Sequence, residues 1–146
     1  MTSATDVTLL YLLKQVELAI RNRLDAVVGR HGLTSLQYTA LTVLERHPGM
    51  TSADLARNSF VRAQTMAQMV VDLEAKGHVR RDVDERSRRR MLLTLTPQAQ
   101  RILEELRGPV GEIEAEMVAG LGSRERETFR KALQVSRRAL GQTPAR

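Results

Sequence analysis

The sequence predicts a mainly α-helical protein with one small β-hairpin, and three observations support this fold class. Over most of the 146 residues, apolar side chains recur at three- and four-residue steps, which is the period of amphipathic helices. After Gly77 the apolar residues instead fall on alternate positions, which is typical of strands. The length fits one domain, so we expect a single domain over residues 1–146.

The first two predicted helices have clear ends. The first covers about residues 6–30, and Gly32 ends it because glycine accepts the left-handed conformation that closes a helix. Thr34 and Gln37 have the spacing of a capping box, so their side chains can satisfy the free amides that open the second helix. Pro48 and Gly49 then break the helix.

Two further helices precede the hairpin. Thr51 caps a short third helix that ends near Asn58, and a fourth helix runs over about residues 62–76. Gly77 is the expected stop of that fourth helix. Two helices joined by a short turn and followed by a hairpin form a winged helix-turn-helix, which can place one helix in the major groove of DNA.

The chain returns to helix after the hairpin. Thr96 caps the next helix and Pro97 lies in its first turn, where the missing N–H costs nothing. Its apolar residues form a seam of the kind that packs on a partner helix: Ala99, Leu103, Leu106, Val110, Ile113 and Met117. Gly108 and Pro109 interrupt the seam and should kink the helix. Ser123 caps the last helix.

Composition excludes several classes of protein. The chain has 23 Lys and Arg against 17 Asp and Glu, a net charge of +6, which suits a polyanionic partner. It has no cysteine, and hence no disulfide, thiol switch or Cys-type zinc site. The apolar run at residues 7–13 is broken by Lys14 and Glu17, and no stretch is long enough to span a bilayer, so we expect a cytoplasmic protein without a membrane partner.

The fourth helix has one apolar stripe and one hydrogen-bonding face. The stripe consists of Met66, Met69, Val70 and Leu73. This leaves Gln64, Thr65 and Gln68 facing outward near the start of the helix, where glutamine can read an adenine edge and threonine a base or a thymine methyl. An ordinary solvated helix face would have the same composition, so the helix alone leaves both interpretations open.

The hairpin favours DNA binding. Its basic residues are Arg80, Arg81, Arg86, Arg88, Arg89 and Arg90, against Asp82, Asp84 and Glu85. We interpret residues 84–90 as a charged, flexible tip between two short strands. An arginine on such a tip can enter a narrow minor groove while its neighbours bind phosphates. The bland alternative, a solvated loop, is weakened by the neighbouring recognition helix.

The chain resembles the MarR-type bacterial transcriptional regulators over nearly its whole length. The matching segments are residues 32–38, 51–57, 64–65, 73–77, 79–81 and 95–97. The resemblance implies a triangular homodimer, with dimerisation helices at residues 6–31 and 97–141 and a DNA-reading lobe at residues 34–96. It also implies a pseudo-palindromic operator with half-sites about one helical turn apart.

Matching positions in the resemblance imply roles for single residues. Gln64, Thr65 and Gln68 would face bases, Arg62 a phosphate and Arg89 the minor groove. The rest of the expected DNA-binding set is Arg86, Arg88 and Arg90. The chain has Ser87, Ala99 and Arg62 where the family usually has aspartate, glycine and a small capping residue. Ser87 changes the ion pairs that the hairpin can form.

Similar proteins bind small aromatic or phenolic acids, which release DNA. Tyr11, Lys14 and Tyr38 are the candidates here, because aromatic walls with a cation suit an aromatic carboxylate, and the alternative for the two tyrosines is a plain core or interface position. We therefore expect a sequence-specific repressor relieved by such a ligand. The alternative is a non-specific architectural protein that binds nucleic acid without a ligand switch.

No enzyme or cofactor is expected. The sequence has no Gly-rich phosphate loop, nucleophile elbow or paired ligand motif. The carboxylates of the long helix avoid its apolar seam and indicate a solvated face: Glu104, Glu105, Glu112 and Glu116. His31, His47 and His78 lie at predicted helix ends or turns, so we expect surface or capping histidines rather than a metal site.

Overall fold

The computed structural model describes residues 6–141, which fold into six α-helices and one two-stranded antiparallel sheet. In chain order these are α1 (Leu9–Val28), α2 (Ser35–Arg46), α3 (Ser52–Asn58), α4 (Ala63–Ala75), β1 (Val79–Asp84), β2 (Ser87–Leu95), α5 (Pro97–Met117) and α6 (Ser123–Ala139). A 3-10 turn, Gly29–His31, follows α1. The predicted fold class is confirmed. Of the helices described, none is long and apolar enough to cross a membrane.

Three helix starts follow the predicted caps at Thr34, Thr51 and Thr96, but the predicted cap Ser123 is wrong: α6 has Gly122 at its N-cap, whose N–H donates to Glu125 Oε1 at 3.0 Å, and Ser123 is the first helical residue. The N–H of Gln37 donates to Thr34 Oγ1 and the N–H of Thr34 donates to Gln37 Oε1, both at 3.1 Å, so the capping box is complete. Thr51 and Thr96 each accept a backbone N–H three residues later, at 3.2 Å. Side-chain caps of this kind typically stabilise a helix by about 1 kcal/mol each.

One buried apolar cluster lies inside the lobe built from α2, α3, α4 and the sheet. Its largest fully buried side chains are Leu41, Leu44, Leu55, Met66, Leu73, Leu93 and Leu106. Val28 at the end of α1, and Leu103 and Leu106 in the first half of α5, close the cluster from outside the lobe. The lobe is thus joined to both flanking helices by shared core.

Helix α5 is one long helix, as its seam predicts. It runs unbroken from Pro97 to Met117 with Pro109 inside, so Gly108 and Pro109 do not divide it. A proline within a helix removes one hydrogen bond and crowds the preceding turn, but the rest of the ladder can continue past it. The kink expected there stays a prediction.

Two helices leave their apolar side chains uncovered by this chain. The first half of α1 exposes Leu9 by 78% and Leu10 by 70%, and α6 exposes Val135 by 59% and Leu140, at its end, by 82%. All α6 residues are exposed except Phe129, which is half-buried. Both helices therefore present apolar surface to whatever lies beside them.

Candidate nucleic-acid interface

Helix α4 separates its two faces as its sequence indicates. Met66, Met69, Val70 and Leu73 are all buried in the lobe core. Gln64, Thr65 and Gln68 are exposed, within the first two turns of the helix. Arg62 takes the N-cap position with an extended backbone and makes no side-chain cap, so its guanidinium is not used to close the helix start.

The polar face of α4 borders an open groove of about 790 Å³. One wall is formed by Thr34, Leu36 and Gln37 at the start of α2, and the other by exposed residues of α4, including Gln64, Thr65 and Gln68. The Gln68 amide nitrogen donates to Asp72 Oδ1 at 3.3 Å, which orients that side chain along the helix. The face thus combines donors and acceptors beside a concave surface.

A tight turn fixes the end of α4 to the hairpin. Gly77 has φ +78°, and the N–H of His78 donates to the carbonyl of Leu73 at 2.9 Å, which closes the helix in a Schellman motif. Thr96, at the far end of the hairpin, donates its hydroxyl to the Gly77 carbonyl at 2.6 Å and its N–H to the His78 carbonyl at 3.1 Å. The hairpin and the recognition helix therefore share one anchored junction.

The hairpin register shows that the predicted tip at residues 84–90 is too long. Val83 pairs with Met91, but the next residue, Asp84, pairs with Ser87. The turn contains only Glu85 and Arg86, and the three consecutive arginines 88–90 belong to β2, at the register shift. They were expected in the tip because a run of arginines has no alternating apolar residue to mark a strand.

The arginines of the two strands differ in their partners. On β1, Arg80 Nε lies 3.1 Å from Asp82 Oδ2, and Arg81 Nε lies 3.3 Å from Glu74 Oε2 on α4. Asp84 Oδ1 accepts the N–H of Arg86 at 3.0 Å, so this carboxylate supports the turn. Among the residues that the structure describes, no salt bridge involves the exposed side chains of Arg86, Arg88, Arg89 and Arg90. Their charges therefore face solvent without an ion pair to any residue between 6 and 141.

A second, apolar groove of about 550 Å³ lies where α1, the start of α2, the end of α5 and α6 meet. Its apolar lining is Leu13, Val16, Ile20, Leu24, Leu36, Met117, Phe129 and Leu133. Its polar lining includes Glu17 and Arg21, one turn apart on α1, with Ser35 and Thr39 on α2. Arg21 holds Glu17 through two hydrogen bonds of 3.0 and 2.5 Å, which lower the pKa of the carboxyl and raise that of the guanidinium.

The residues predicted to bind a ligand lie elsewhere. Tyr11 and Lys14 are exposed on α1, whereas Tyr38 packs half-buried against the lobe core, where burial and the nearby Glu45 raise the pKa of its phenol. Their ligand role stays a prediction. Sequence reasoning missed Arg21 because its spacing from Glu17 is typical of an ordinary surface pair on a helix.

The three histidines do not share one environment. His47 is exposed and His31 is partly buried, with Nδ1 3.9 Å from Glu105 Oε2. The expected surface position is wrong for His78: its backbone N–H does close α4, but the residue is only 3% exposed and its Nδ1 has no hydrogen-bond partner in the described chain. The position after a left-handed glycine commonly packs back on its own helix, which places this ring in the lobe. Within residues 6–141, no three His, Asp or Glu side chains are grouped to hold a metal ion.

Two helices joined by a tight turn, followed by an arginine-rich hairpin, define a winged helix-turn-helix protein. The family model described as "MarR family" matches residues 31–90. The HTH-type transcriptional repressor Rv2887 of Mycobacterium tuberculosis is 31% identical over 131 residues, covering 90% of this chain and 94% of that protein. The chain belongs to the MarR family of transcriptional regulators.

Solved structures agree with this assignment. A crystal structure of Mycobacterium tuberculosis Rv2887 in complex with salicylic acid matches with a TM-score of 0.70 at 30% identity, covering 90% of this chain and 98% of that one. A crystal structure of the S. aureus MepR–DNA complex matches with a TM-score of 0.84 at 24% identity, covering 92% and 99%. At that identity the second match establishes the fold alone.

Proposed function

We propose that the chain is a sequence-specific repressor that binds double-stranded DNA as a homodimer and leaves it when a small aromatic acid binds. The proposal rests on two surfaces that lie on either side of the turn joining α4 to the hairpin. One surface offers hydrogen bonds and the other offers positive charge. Gln64, Thr65 and Gln68 offer hydrogen bonds on the first turns of α4. Arginines 86 and 88–90 offer positive charge without internal ion pairs in the described chain.

The two surfaces divide the work of binding. The start of a recognition helix meets base edges in the major groove, where glutamine and threonine distinguish base pairs. Arginines on a wing bind phosphates or enter the narrow minor groove, which supplies affinity but little sequence information. Arg62, at the N-cap, is placed to contact a phosphate beside the groove. We assign Arg89 the minor-groove contact and Arg86, Arg88 and Arg90 the neighbouring phosphates.

A homodimer would bring two lobes to one duplex. The apolar side chains that α1 and α6 leave exposed suit a second copy of the same two helices, whereas most of the α5 seam is already buried within the chain. A two-fold dimer presents two recognition helices related by symmetry, so its operator is pseudo-palindromic. Residues 6–31 and 97–141 would form the dimer base in this arrangement.

The ligand proposal is supported by the apolar groove and by a relative. Rv2887 has been crystallised with salicylic acid. In this chain the groove beside Glu17 and Arg21 measures about 550 Å³, within the roughly 300–1,000 Å³ usual for small-molecule sites. Its aliphatic and phenylalanine lining suits an aromatic ring, and Arg21 suits a carboxylate. Tyr11, Lys14 and Tyr38 remain the competing candidates from the sequence.

The decisive experiment separates sequence reading from charge. An operator would be selected by the unmodified chain from randomised duplexes, and affinities measured on it and on a scrambled duplex. We expect Gln68→Ala to weaken operator binding by at least about 5- to 150-fold, the value of one base contact, because the dimer loses that contact in each half-site, with little change on the scrambled duplex. Gln100→Ala, at an exposed position of α5, is the matched control and should bind both as before.

The contribution of the hairpin arginines is tested by measuring how DNA binding depends on salt concentration. Arg89→Ala should weaken binding to both duplexes and reduce the slope of log affinity against log salt by about 2, because each of the two copies in the dimer releases about one counterion fewer. Arg101→Ala, exposed on α5, removes the same charge away from the wing and should leave the slope unchanged. Equal losses on both duplexes from Gln68→Ala would instead support the non-specific architectural protein.

A further inference from the structure

The turn between α3 and α4 has an unusual residue at its centre. Ser59 ends α3, and the N–H of Val61 donates to the carbonyl of Ala56 at 3.2 Å. This is the same closing bond that ends α4 at Gly77, so Phe60 holds the position that a glycine holds in the second turn. Val61 packs against the lobe core, which fixes where the chain must go after Phe60.

Phe60 adopts a backbone conformation that a bulky side chain avoids. Its φ is +61°, and between residues 6 and 141 it is the single residue other than glycine with a positive φ. The other positive values belong to Gly32, Gly49, Gly77 and Gly141. A phenylalanine there is strained by contact of its Cβ with the backbone, and strain of this kind persists where the position has a further role.

Packing within the chain does not explain why residue 60 has an aromatic side chain. The Phe60 side chain is 62% exposed, so it adds little to the lobe core. Phenylalanine is rare in this chain, with two in 146 residues, and the other, Phe129, is half-buried beside α5. Because the ring lies mostly in solvent, its packing does not offset the backbone strain at Phe60.

We propose that the Phe60 ring contacts the apolar edge of the DNA groove, at a thymine methyl or a deoxyribose. The inference rests on the proposed function, because it requires α4 to enter the major groove. Phe60 lies two residues before the N-cap Arg62 and four before Gln64, so it sits at the mouth of the groove when the first turn of α4 faces the bases. Both targets present apolar carbon atoms, and their contact with an exposed aromatic ring removes apolar surface from water.

Three substitutions separate the ring from the turn. Phe60→Tyr keeps the ring and should bind the selected operator within about two-fold of the unmodified chain. Phe60→Ala and Phe60→Gly both remove the ring and should bind about 5- to 30-fold more weakly, the scale of one lost apolar contact. Glycine relieves the strain that alanine keeps, so Phe60→Gly should melt about 2–4 °C above Phe60→Ala.

An operator in which deoxyuridine replaces thymine lacks the thymine methyl groups. It therefore distinguishes a thymine-methyl contact from a deoxyribose contact. For a thymine-methyl contact, the unmodified chain binds this operator more weakly and Phe60→Ala loses nothing further. For a deoxyribose contact, Phe60→Ala loses the same factor on both operators. Either result supports the proposal.

Two results would overturn the proposal. One is operator binding by Phe60→Gly as tight as that of the unmodified chain, since the residue would then serve only the turn. The other is a changed sedimentation coefficient of Phe60→Ala, which would assign the ring to a contact between copies. Failure of the proposed function is a separate outcome, because the unmodified chain and Gln68→Ala would then bind operator and scrambled duplex alike.

Discussion

At the scale of single residues, His78 links the protonation state of the chain to the recognition helix. Its backbone N–H closes α4, its carbonyl accepts from Thr96, and its ring lies in the lobe. Burial lowers the pKa of the imidazole from its ordinary value of 6.5, and the charge of nearby Lys76 lowers it further. The folded lobe therefore favours the neutral ring over the protonated one.

We expect the stability of the lobe to fall as the medium becomes acidic. The unfolded chain takes up a proton at His78 near pH 6.5, whereas the folded chain resists it to a lower pH. The contribution of the neutral ring is thus complete above pH 6.5 and is lost as pH falls through the lowered pKa. Thermal midpoints of the unmodified chain between pH 8 and pH 5 would measure this, with a slope from one proton of at most about 1.4 kcal/mol per pH unit.

His78→Gln should flatten this dependence, even though the buried amide lowers the midpoint at every pH. His47→Gln removes an exposed histidine and should keep the original dependence, which makes it the matched control. Parallel curves for the two variants would show that His78 does not control the acid response.

At the scale of elements, prediction succeeded at several helix ends that local chemistry decides. The capping box at Thr34, the cap at Thr96 and the stop at Gly77 each act within a few residues, so the sequence contains the whole cause. The start of β2 depends instead on pairing with β1. A run of arginines has no alternation to indicate that pairing, and the register shift at Asp84 cannot be predicted from either strand alone.

The candidate site was predicted unevenly for the same reason. The exposed face of α4 follows from helical periodicity, so Gln64, Thr65 and Gln68 could be placed from the sequence. The apolar groove brings together four elements that are distant in the chain, and its lining could not be predicted from spacing. The left-handed backbone of Phe60 was missed too, since only the anchoring of Val61 in the core imposes it.

The groove between elements leads to a prediction about its ion pair. Salicylate, used as the probe, would place its ring against the apolar lining and its carboxylate on Arg21, in competition with Glu17. Arg21→Gln should raise the salicylate concentration needed for half-release of the operator by about ten-fold or more, because it removes a charge-assisted hydrogen bond. Glu17→Gln should lower that concentration, because it removes the competing carboxylate.

Lys14→Gln provides the contrast, since it removes a cation from the same helix at the site predicted from the sequence. A loss of response with Lys14→Gln and none with Arg21→Gln would move the ligand from the apolar groove to Tyr11, Lys14 and Tyr38.

At the scale of the whole molecule, one ion pair joins the two helices that flank the lobe, and another joins α5 to the lobe. Arg23 on α1 binds Glu116 on α5 through two hydrogen bonds of 3.1 and 2.6 Å, and Arg107 on α5 donates to Glu45 on α2 at 3.2 Å. Three of these four side chains are more than half exposed, so each pair adds little stability and mainly favours one orientation. With the core shared by α1, α5 and the lobe, they would transmit a change at the apolar groove to the spacing of two recognition helices.

That mechanism requires the dimer, and one substitution tests both. Leu10 is 70% exposed on α1, and a glutamate there would bury an unpaired charge if a second copy covers it. We expect Leu10→Glu to sediment as a monomer at micromolar concentration, where the unmodified chain is a dimer whose melting temperature rises with concentration. Asn22→Glu adds the same charge at an exposed polar position of α1 and should remain dimeric.

Because a monomer engages one half-site, the operator affinity of Leu10→Glu should fall by about 100-fold or more and its salt slope by about half. A monomeric Leu10→Glu that binds the operator as tightly as the unmodified chain would show that one lobe suffices, and release through lobe spacing would then be excluded.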